Sequence, residues 1–123
     1  VEDSEEAAWL VQLCLTGNQS EQFRVEWSQN LFHAMTRLGA PGIEVVLLDL
    51  GLPELNGYRS FRAIDAATRG KVPVVILTSD DRGLSKDLTL GFGASDYLMK
   101  DGFSPVQLRQ SLLEAIRRGR VGC

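Results

Sequence analysis

Five polar residues lie just after apolar stretches or just after the first residue of the chain, and their types suit one another chemically. They are Glu2, Asp3, Asp49, Thr78 and Lys100. Three carboxylates held within a few ångströms repel one another, so one of them has a raised pKa unless a cation neutralises the group. Oxygen ligands without His or Cys beside them select a hard cation, and few carboxylates with room for water favour Mg²⁺ over Ca²⁺. The set indicates a magnesium site.

A lysine ammonium and a threonine hydroxyl beside Mg²⁺ suit an anion that brings its own oxygens. A phosphoryl group fits this description. The metal and Lys100 balance its charge, Thr78 donates a hydrogen bond, and Asp49 can attack phosphorus to give an acyl phosphate. Each residue also has a plain structural explanation: a helix cap for Glu2 and Asp3, a turn for Asp49, and a strand end or a solvated edge for the others. Their joint occurrence at strand ends favours the shared site.

The elements that must position these residues alternate along the chain. Apolar residues recur at helical spacing in five segments. The predicted helices cover residues 4–16, 31–38, 57–69 and 81–91, and a last one that opens at Ser104 with a capping box. Residues 23–27 alternate apolar and charged side chains, as in an edge strand, and 97–99 is a short strand. Residues 43–50 and 73–77 are apolar without alternation, which predicts strands buried on both faces.

This alternation predicts an α/β fold, a three-layer, doubly wound parallel sheet. The sequence predicts five helices but only four recognisable strands. Because strands and helices alternate, the first helix should follow a strand that ends at Val1. We therefore expect the first strand to be largely missing from this sequence, with the native chain extending roughly 4 to 6 residues before Val1. In such sheets ligands lie beyond the carboxyl ends of the strands, which brings the five polar residues to one edge.

Four segments carry a resemblance to a known family. Residues 45–57 (VVLLDLGLPELNG) resemble the phosphoacceptor segment of receiver domains from two-component response regulators, including the Asp-x-x-x-Pro-x-x-x-Gly spacing. Residues 73–79 (PVVILTS) and 93–100 (GASDYLMK) are similar to the next two signatures of that family, and residues 1–4 (VEDS) to the end of its first strand. The likeness covers essentially the whole chain. It implies a flavodoxin-like, five-stranded sheet with strand order 2-1-3-4-5.

The resemblance also implies roles for the acidic residues. Asp49 would accept a phosphoryl group from a phosphohistidine on a sensor histidine kinase or a phosphotransfer protein. Glu2, Asp3, Asp49 and the backbone carbonyl of Gly51 would hold Mg²⁺. Such a domain promotes only its own phosphotransfer and autodephosphorylation, so it is a signalling domain rather than an enzyme.

By the same resemblance, Lys100, Thr78 and the backbone of Ser79 would contact the phosphoryl oxygens. Thr78 and Tyr97 match the switch pair of the family, in which the hydroxyl moves toward the phosphate as the ring rotates inward. The alternative is that Tyr97 is an aromatic residue of an edge strand that keeps one position and has no part in a switch. The face formed by helix 4, strand 5 and helix 5 would change partners and could pair two copies in a homodimer.

One departure from the family pattern supports a different function. Many members have Lys-Pro where this chain has Lys100-Asp101-Gly102, although Gly102 can provide an equivalent turn through its wide φ range. The alternative is a degenerate receiver that serves as a docking or dimerisation module without phosphorylation. A phosphatase of the haloacid dehalogenase type would need a second Asp where Gly51 stands, and a flavin carrier would not place Glu2 beside its phosphate.

Composition limits the remaining possibilities. The chain has 123 residues, 44% of them hydrophobic, which fits one soluble domain; we place it at residues 1–118, with 119–123 as a tail or the start of a linker. The net charge of -3 argues against direct nucleic-acid binding, and no apolar run approaches the roughly 18 residues of a membrane span. Cys14 and Cys123 form no ligand motif, so we expect a reducing cytoplasmic setting. Among receiver domains, an acidic or glycine turn after the lysine often accompanies a downstream module, so the resemblance implies that an effector or kinase domain can follow in the full-length chain.

Overall fold

The computed structural model describes residues 1–16, 23–55, 57–79 and 83–121. This part of the chain contains five helices and three strands. The helices are α1 (Glu5–Thr16), α2 (Leu31–Leu38), α3 (Tyr58–Thr68), α4 (Gly83–Gly91) and α5 (Pro105–Val121), and the strands are β1 (Val46–Leu48), β2 (Val74–Thr78) and β3 (Asp96–Met99). Each of them coincides with a segment that the sequence predicted as that type of element, although β2 ends one residue later and β3 begins one residue earlier than predicted. The first two residues of the predicted fourth helix lie outside the described residues.

The three strands form a parallel sheet in the order β1-β2-β3. Successive side chains of a strand point to opposite faces, so strands that are apolar throughout bury both faces. On one face, Leu48 and Ile76 pack in a cluster with α2 and α3. On the other face, Val75 and Leu98 pack in a cluster with α1 and α5. The predicted three-layer α/β fold is therefore confirmed.

Local side-chain bonds fix where the helices begin. The Ser4 hydroxyl accepts a hydrogen bond from the Ala7 N–H at 3.2 Å, so Ser4 rather than Glu2 or Asp3 caps α1. At the start of α5, the Gln107 N–H donates to Ser104 Oγ at 3.1 Å, and the Ser104 N–H donates to Gln107 Oε1 at 3.0 Å. This is the predicted capping box. The capping explanation for the acidic pair at the start of the chain is thereby removed.

The strand count differs from the prediction. Residues 23–27 were expected to form a strand, but the structure assigns them to none, and the sheet of the described residues has three strands instead of five. A strand needs a neighbour to complete its hydrogen-bond ladder. In the predicted strand order the neighbour of residues 23–27 would be the first strand, and Val1 and Glu2 are the described residues that lie in its place.

These two residues nevertheless keep the predicted strand order. The Val1 ammonium donates to the Leu47 carbonyl at 2.6 Å, and the Asp49 N–H donates to the Val1 carbonyl at 3.1 Å. On the opposite side, the Glu2 N–H donates to the Ser28 carbonyl at 3.1 Å. Val1 and Glu2 thus lie between the segment that ends at Ser28 and β1, as the order 2-1-3-4-5 requires.

The last helix is longer than the sequence indicated. It continues to Val121, so residues 119–121 are helical, and the division of the chain at residue 118 stays a prediction. Among the described helices, none combines the length and the apolar character that crossing a bilayer requires.

Candidate functional site

The carboxyl ends of the three strands bring three of the predicted site residues together. Asp49 follows β1, Thr78 is the last residue of β2, and Lys100 follows β3. The Thr78 hydroxyl donates to Asp49 Oδ1 at 2.8 Å, and Lys100 Nζ donates to Asp49 Oδ2 at 3.0 Å. Parallel strands end at one edge of the sheet, and this is the physical reason that the three side chains meet.

The Asp49 carboxylate is buried and held by the backbone that follows it. Asp49 is only 7% exposed. Its Oδ1 also accepts a hydrogen bond from the Gly51 N–H at 3.0 Å, which forms an Asx-type turn. The loop then closes when the Gly57 N–H donates to the Leu50 carbonyl at 3.1 Å. Gly57 has a φ of 61°, in a region that favours glycine, which explains the last residue of the Asp-x-x-x-Pro-x-x-x-Gly spacing.

Lys100 joins this carboxylate to a second one. Its Nζ lies 2.6 Å from Glu2 Oε2, and the Lys100 side chain is 25% exposed. The Ser4 N–H donates to the other Glu2 oxygen, Oε1, at 3.1 Å. Lys100 is therefore not a residue of a solvated edge, because its ammonium bridges Glu2 and Asp49.

Sequence reasoning missed two residues that hold Glu2 in place. The Trp27 indole N–H donates to the Glu2 carbonyl at 2.7 Å, and the Ser28 carbonyl accepts the Glu2 N–H. In the sequence, Trp27 is only the last residue of a segment in which apolar and charged residues alternate. Glu2 lies 25 positions before Trp27, and no sequence spacing connects the two residues. The sequence therefore holds no local signal that predicts this hydrogen bond.

The charges of the cluster shift the pKa values in different directions. Burial raises the pKa of Glu2, against the opposing effect of its bond to Lys100. Burial alone would also raise the pKa of Asp49, but the bonds from Gly51, Thr78 and Lys100 outweigh it and lower that pKa below its usual value. The two carboxylates raise the pKa of Lys100 in spite of its burial. At neutral pH, Asp49 is ionised and Lys100 is protonated.

The acidic residues also suit a divalent cation. Glu2, Asp3 and Asp49 each offer a carboxylate oxygen, and these oxygens lie within 4.8 Å of one another. Mg²⁺ binds oxygen at about 2.1 Å in octahedral geometry, which places opposed ligands about 4.2 Å apart. The three carboxylates and the Lys100 ammonium together carry a net charge of about -2, which one Mg²⁺ ion neutralises. Because Asp3 is exposed, water can complete the coordination shell. The residues fit this metal.

The structure places the remaining predicted residues without testing their roles. Tyr97 is 8% exposed and packs in the core cluster that contains Ile76, so its ring lies inside the domain. Ser79 is exposed and follows Thr78 at the same edge of the sheet. Gly51 contributes its N–H to Asp49, while metal ligation by its carbonyl stays a prediction.

Replacing Asp3 gives a test of the metal site that leaves the buried bonds in place. We expect Asp3→Asn to weaken Mg²⁺ binding at least about 10-fold, because one charged oxygen ligand is lost. Its Tm without metal should change by less than about 2 °C, since Asp3 is exposed. Calorimetric titration with Mg²⁺ measures the affinity. Asp101→Asn, which removes an exposed carboxylate next to Lys100, is the control and should bind Mg²⁺ as the wild type does.

Sequence comparison connects this site with known proteins. A family model described as "Response regulator receiver domain" matches residues 1–113. The uncharacterized transcriptional regulatory protein YcbL of Bacillus subtilis is 40% identical over 75 residues, which are 61% of this chain and 32% of that protein. The swarming motility regulation protein RssB of Serratia marcescens is 33% identical over 81% of this chain and 44% of its own length. The chain thus spans less than half of these curated relatives.

A solved structure shows the same arrangement of the chain. The receiver domain of sensor histidine kinase PA1611 from Pseudomonas aeruginosa is 28% identical, with a TM-score of 0.77 over 95% of this chain and 93% of that one. It is described with a magnesium ion coordinated in its active-site cleft.

Proposed function

The chain belongs to the receiver-domain family of two-component response regulators, a family of signalling domains, and from this we propose that it is an active phosphoacceptor. Asp49 takes the phosphoryl group from a phosphohistidine on a sensor histidine kinase or a phosphotransfer protein. The observation that carries the proposal is the geometry at Asp49, whose carboxylate accepts hydrogen bonds from Thr78 and Lys100 at the edge of the sheet. Glu2 and Asp3 supply the acidic side of the same site.

The chemical step is a displacement at phosphorus. An Asp49 carboxylate oxygen forms a bond to phosphorus, the P–N bond to the donor imidazole breaks, and its electron pair returns to that nitrogen. The lowered pKa of Asp49 keeps its carboxylate ionised at neutral pH, which is the state that can attack phosphorus. Mg²⁺ held by Glu2, Asp3 and Asp49 would offset the charge of the phosphoryl oxygens.

Lys100 and Thr78 stabilise the transferred group by changing partners. Lys100 already contacts Glu2, so its ammonium stays anchored there when it releases Asp49 Oδ2 and binds a phosphoryl oxygen. In this proposal the Thr78 hydroxyl turns from Asp49 Oδ1 to another phosphoryl oxygen, to which the Ser79 backbone N–H also donates. The Thr78 hydroxyl and the Lys100 ammonium already lie within hydrogen-bonding distance of Asp49, the residue that receives the phosphoryl group, so only short movements accompany their change of partner.

The signal leaves the site through the neighbouring strand. The Lys100 N–H donates to the Thr78 carbonyl at 2.9 Å, and the β2–β3 register pairs Ile76 with Tyr97. A displacement of Thr78 is therefore passed to β3 and to the packing of the Tyr97 ring. We propose that the face formed by α4, β3 and α5 changes in response, binds downstream partners and can pair two copies of the domain.

The departure from Lys-Pro does not favour the degenerate alternative. The Gly102 N–H donates to the Met99 carbonyl at 3.2 Å and closes the turn, and Lys100 reaches both of its acidic partners. Gly102 is not among the glycines with positive φ, so the turn does not use the wide φ range that the sequence suggested. A docking module without phosphorylation would not need this cluster of charged groups.

The biological setting belongs to the same proposal. Because the curated relatives are longer than this chain, we propose that an effector or kinase domain accompanies it in the full-length protein. We also propose that the domain lies in the cytoplasm and that it promotes the loss of its own phosphoryl group to water.

Phosphorylation in vitro tests the function. The chain is incubated with acetyl phosphate and Mg²⁺, and intact mass spectrometry is expected to show the gain of one phosphoryl group that hydroxylamine removes, as it does from an acyl phosphate. Beryllofluoride with Mg²⁺ should change the tryptophan fluorescence, since Trp27 is bound to the backbone of Glu2. Unchanged mass and fluorescence would favour the docking module. Sustained turnover of a phosphomonoester would point to a phosphatase.

A further inference from the structure

A carboxylate in the loop after Asp49 accepts a hydrogen bond from the start of α2. Glu54 Oε1 accepts the Leu31 N–H at 2.6 Å, although the two residues are 23 positions apart. Leu31 is the first residue of α2, and the N–H groups of a first helical turn have no partner within their helix. Because Leu31 is buried, Glu54 rather than bulk water satisfies this N–H.

The loop that carries Glu54 is bonded to the predicted phosphoacceptor. We call residues 50–55 the Asp49 loop. Its Gly51 N–H donates to Asp49 Oδ1 at 3.0 Å. Between Gly51 and Glu54, the side chain of Leu52 is fully buried in a core cluster, which leaves this stretch of backbone little freedom. The position of Glu54 therefore affects the position of Gly51.

The residues before α2 hold the other side of the acidic site. The Glu2 N–H donates to the Ser28 carbonyl at 3.1 Å, and Ser28 precedes Leu31 by only three residues. The bond from Leu31 to Glu54 thus connects the segment that holds Glu2 with the Asp49 loop. This connection lies outside the site itself and is additional to the Lys100 bridge.

The two connected parts carry like charges. Glu2 and Asp3 belong to one part and Asp49 to the other, and their oxygens lie within 4.8 Å of one another. Carboxylates at this distance repel, and Lys100 supplies one positive charge against three negative ones. A bond between the two parts keeps the oxygens close together without a metal, so less order has to be imposed when a cation binds.

We propose that Glu54 is a positioning residue for the magnesium site: its bond to Leu31 fixes the Asp49 loop against the segment that holds Glu2 and thereby raises the affinity for Mg²⁺. Glu54 is not one of the three acidic residues whose oxygens suit the cation, and its Oε1 is bonded to the Leu31 N–H. The inference rests on the metal binding of the proposed function and not on the transfer of the phosphoryl group.

Three variants separate this role from helix capping and from charge. Glu54→Ala removes the bond and should weaken Mg²⁺ binding roughly 10-fold in calorimetric titration, the lower limit for loss of a group that orients metal ligands. Glu54→Gln keeps an acceptor oxygen and should bind Mg²⁺ within about twofold of the wild type.

Asn30→Ala is the matched control. Asn30 Oδ1 accepts the His33 N–H at 2.9 Å, a bond that lies wholly within the start of α2. Asn30→Ala and Glu54→Ala each remove one acceptor from the first turn of this helix, so both should lower the Tm by roughly 3–6 °C. Asn30→Ala should bind Mg²⁺ as the wild type does.

Hydrogen exchange without metal gives a second readout. In Glu54→Ala, the Gly51 amide should exchange roughly five- to tenfold faster than in the wild type, because the Asp49 loop is no longer held against α2. Asn30→Ala should leave this rate unchanged. A Gly51 amide that exchanges at the wild-type rate in Glu54→Ala would overturn the proposal.

The metal affinities can overturn it in two further ways. Equal Mg²⁺ affinities of Glu54→Ala and Asn30→Ala would show that Glu54 is only a cap of α2. Equal losses in Glu54→Ala and Glu54→Gln would show that the carboxylate acts through its charge and not through its bond to Leu31.

These measurements distinguish the inference from the proposed function. A wild-type chain that binds Mg²⁺ but takes up no phosphoryl group from acetyl phosphate would contradict the phosphoacceptor function, while the affinities of the variants would still support or overturn the role of Glu54. A wild-type chain that is labelled, together with an unchanged Mg²⁺ affinity in Glu54→Ala, would overturn the inference alone.

Discussion

The Asp49→Asn variant is expected to take up no phosphoryl group from acetyl phosphate and Mg²⁺ under conditions in which the wild type is labelled. The reaction requires an ionised carboxylate oxygen, and an amide is neutral and far less nucleophilic at its oxygen. The amide oxygen can still accept the bonds from Thr78 and Gly51 that Asp49 Oδ1 accepts. The variant should therefore fold, and the effect on labelling should be close to complete.

Intact mass spectrometry with hydroxylamine treatment measures this loss. Asp87→Asn, which changes an exposed carboxylate on α4, is the matched control and should be labelled as the wild type is. Circular dichroism and a Tm within a few degrees of the wild type establish that the Asn variant is folded. Labelling of Asp49→Asn at the wild-type rate would mean that another residue accepts the phosphoryl group, and the proposed function would lose its central residue.

The second large effect is expected from Lys100→Met. This change removes the ammonium that would bind a phosphoryl oxygen, so transfer from acetyl phosphate should slow by roughly 10²- to 10³-fold. Lys86→Met, which removes an exposed lysine from α4, should leave the rate unchanged. Lys100→Arg should recover part of the rate, because it keeps the charge but not the compact geometry of an ammonium. Labelling of Lys100→Met at the wild-type rate would contradict the proposal that Lys100 binds a phosphoryl oxygen.

The same variant has a defined pH dependence in its stability. Without the ammonium, the free energy of unfolding at pH 7 should fall by about 1–3 kcal/mol, less than for a fully buried ion pair because the Lys100 side chain is 25% exposed. In the wild type, the lowered pKa of Asp49 contributes stability above the usual aspartate pKa, and this contribution is lost as the pH falls through the folded-state pKa. In the variant, Asp49 and Glu2 face each other without a cation, so their pKa values rise and ionisation destabilises the fold.

The difference between the two proteins should therefore be largest near pH 7 and much smaller near about pH 3, because the lowered pKa of Asp49 keeps this carboxylate ionised in the wild type until the pH falls below the usual aspartate pKa of about 4. Urea unfolding at these two pH values, without metal, measures it. Added Mg²⁺ should return part of the lost stability at pH 7, since it neutralises the same carboxylates. A deficit that is independent of pH would show that Lys100 contributes through packing rather than through charge.

Much of the fold could be predicted because it depends on local patterns. The helical spacing of apolar residues placed all five helices, and the runs without alternation placed β1 and β2, since strands buried on both faces need apolar residues at every position. The edge segment at residues 23–27 was predicted as a strand and is not one. Its alternation is a true local signal, but a strand also needs a backbone partner, and the pairing of distant segments leaves no mark in local periodicity.

The sequence by itself determined the order of elements and the residues that follow each strand, and hence that Asp49, Thr78 and Lys100 share one edge of the sheet. Only the tertiary structure decided how they are paired: that Lys100 bridges Glu2 and Asp49, and that Trp27 holds the backbone of Glu2. The physical reason is distance along the chain. Periodicity and turn chemistry act over a few residues, whereas these contacts join segments 25 to 98 positions apart that only packing of the layers brings together.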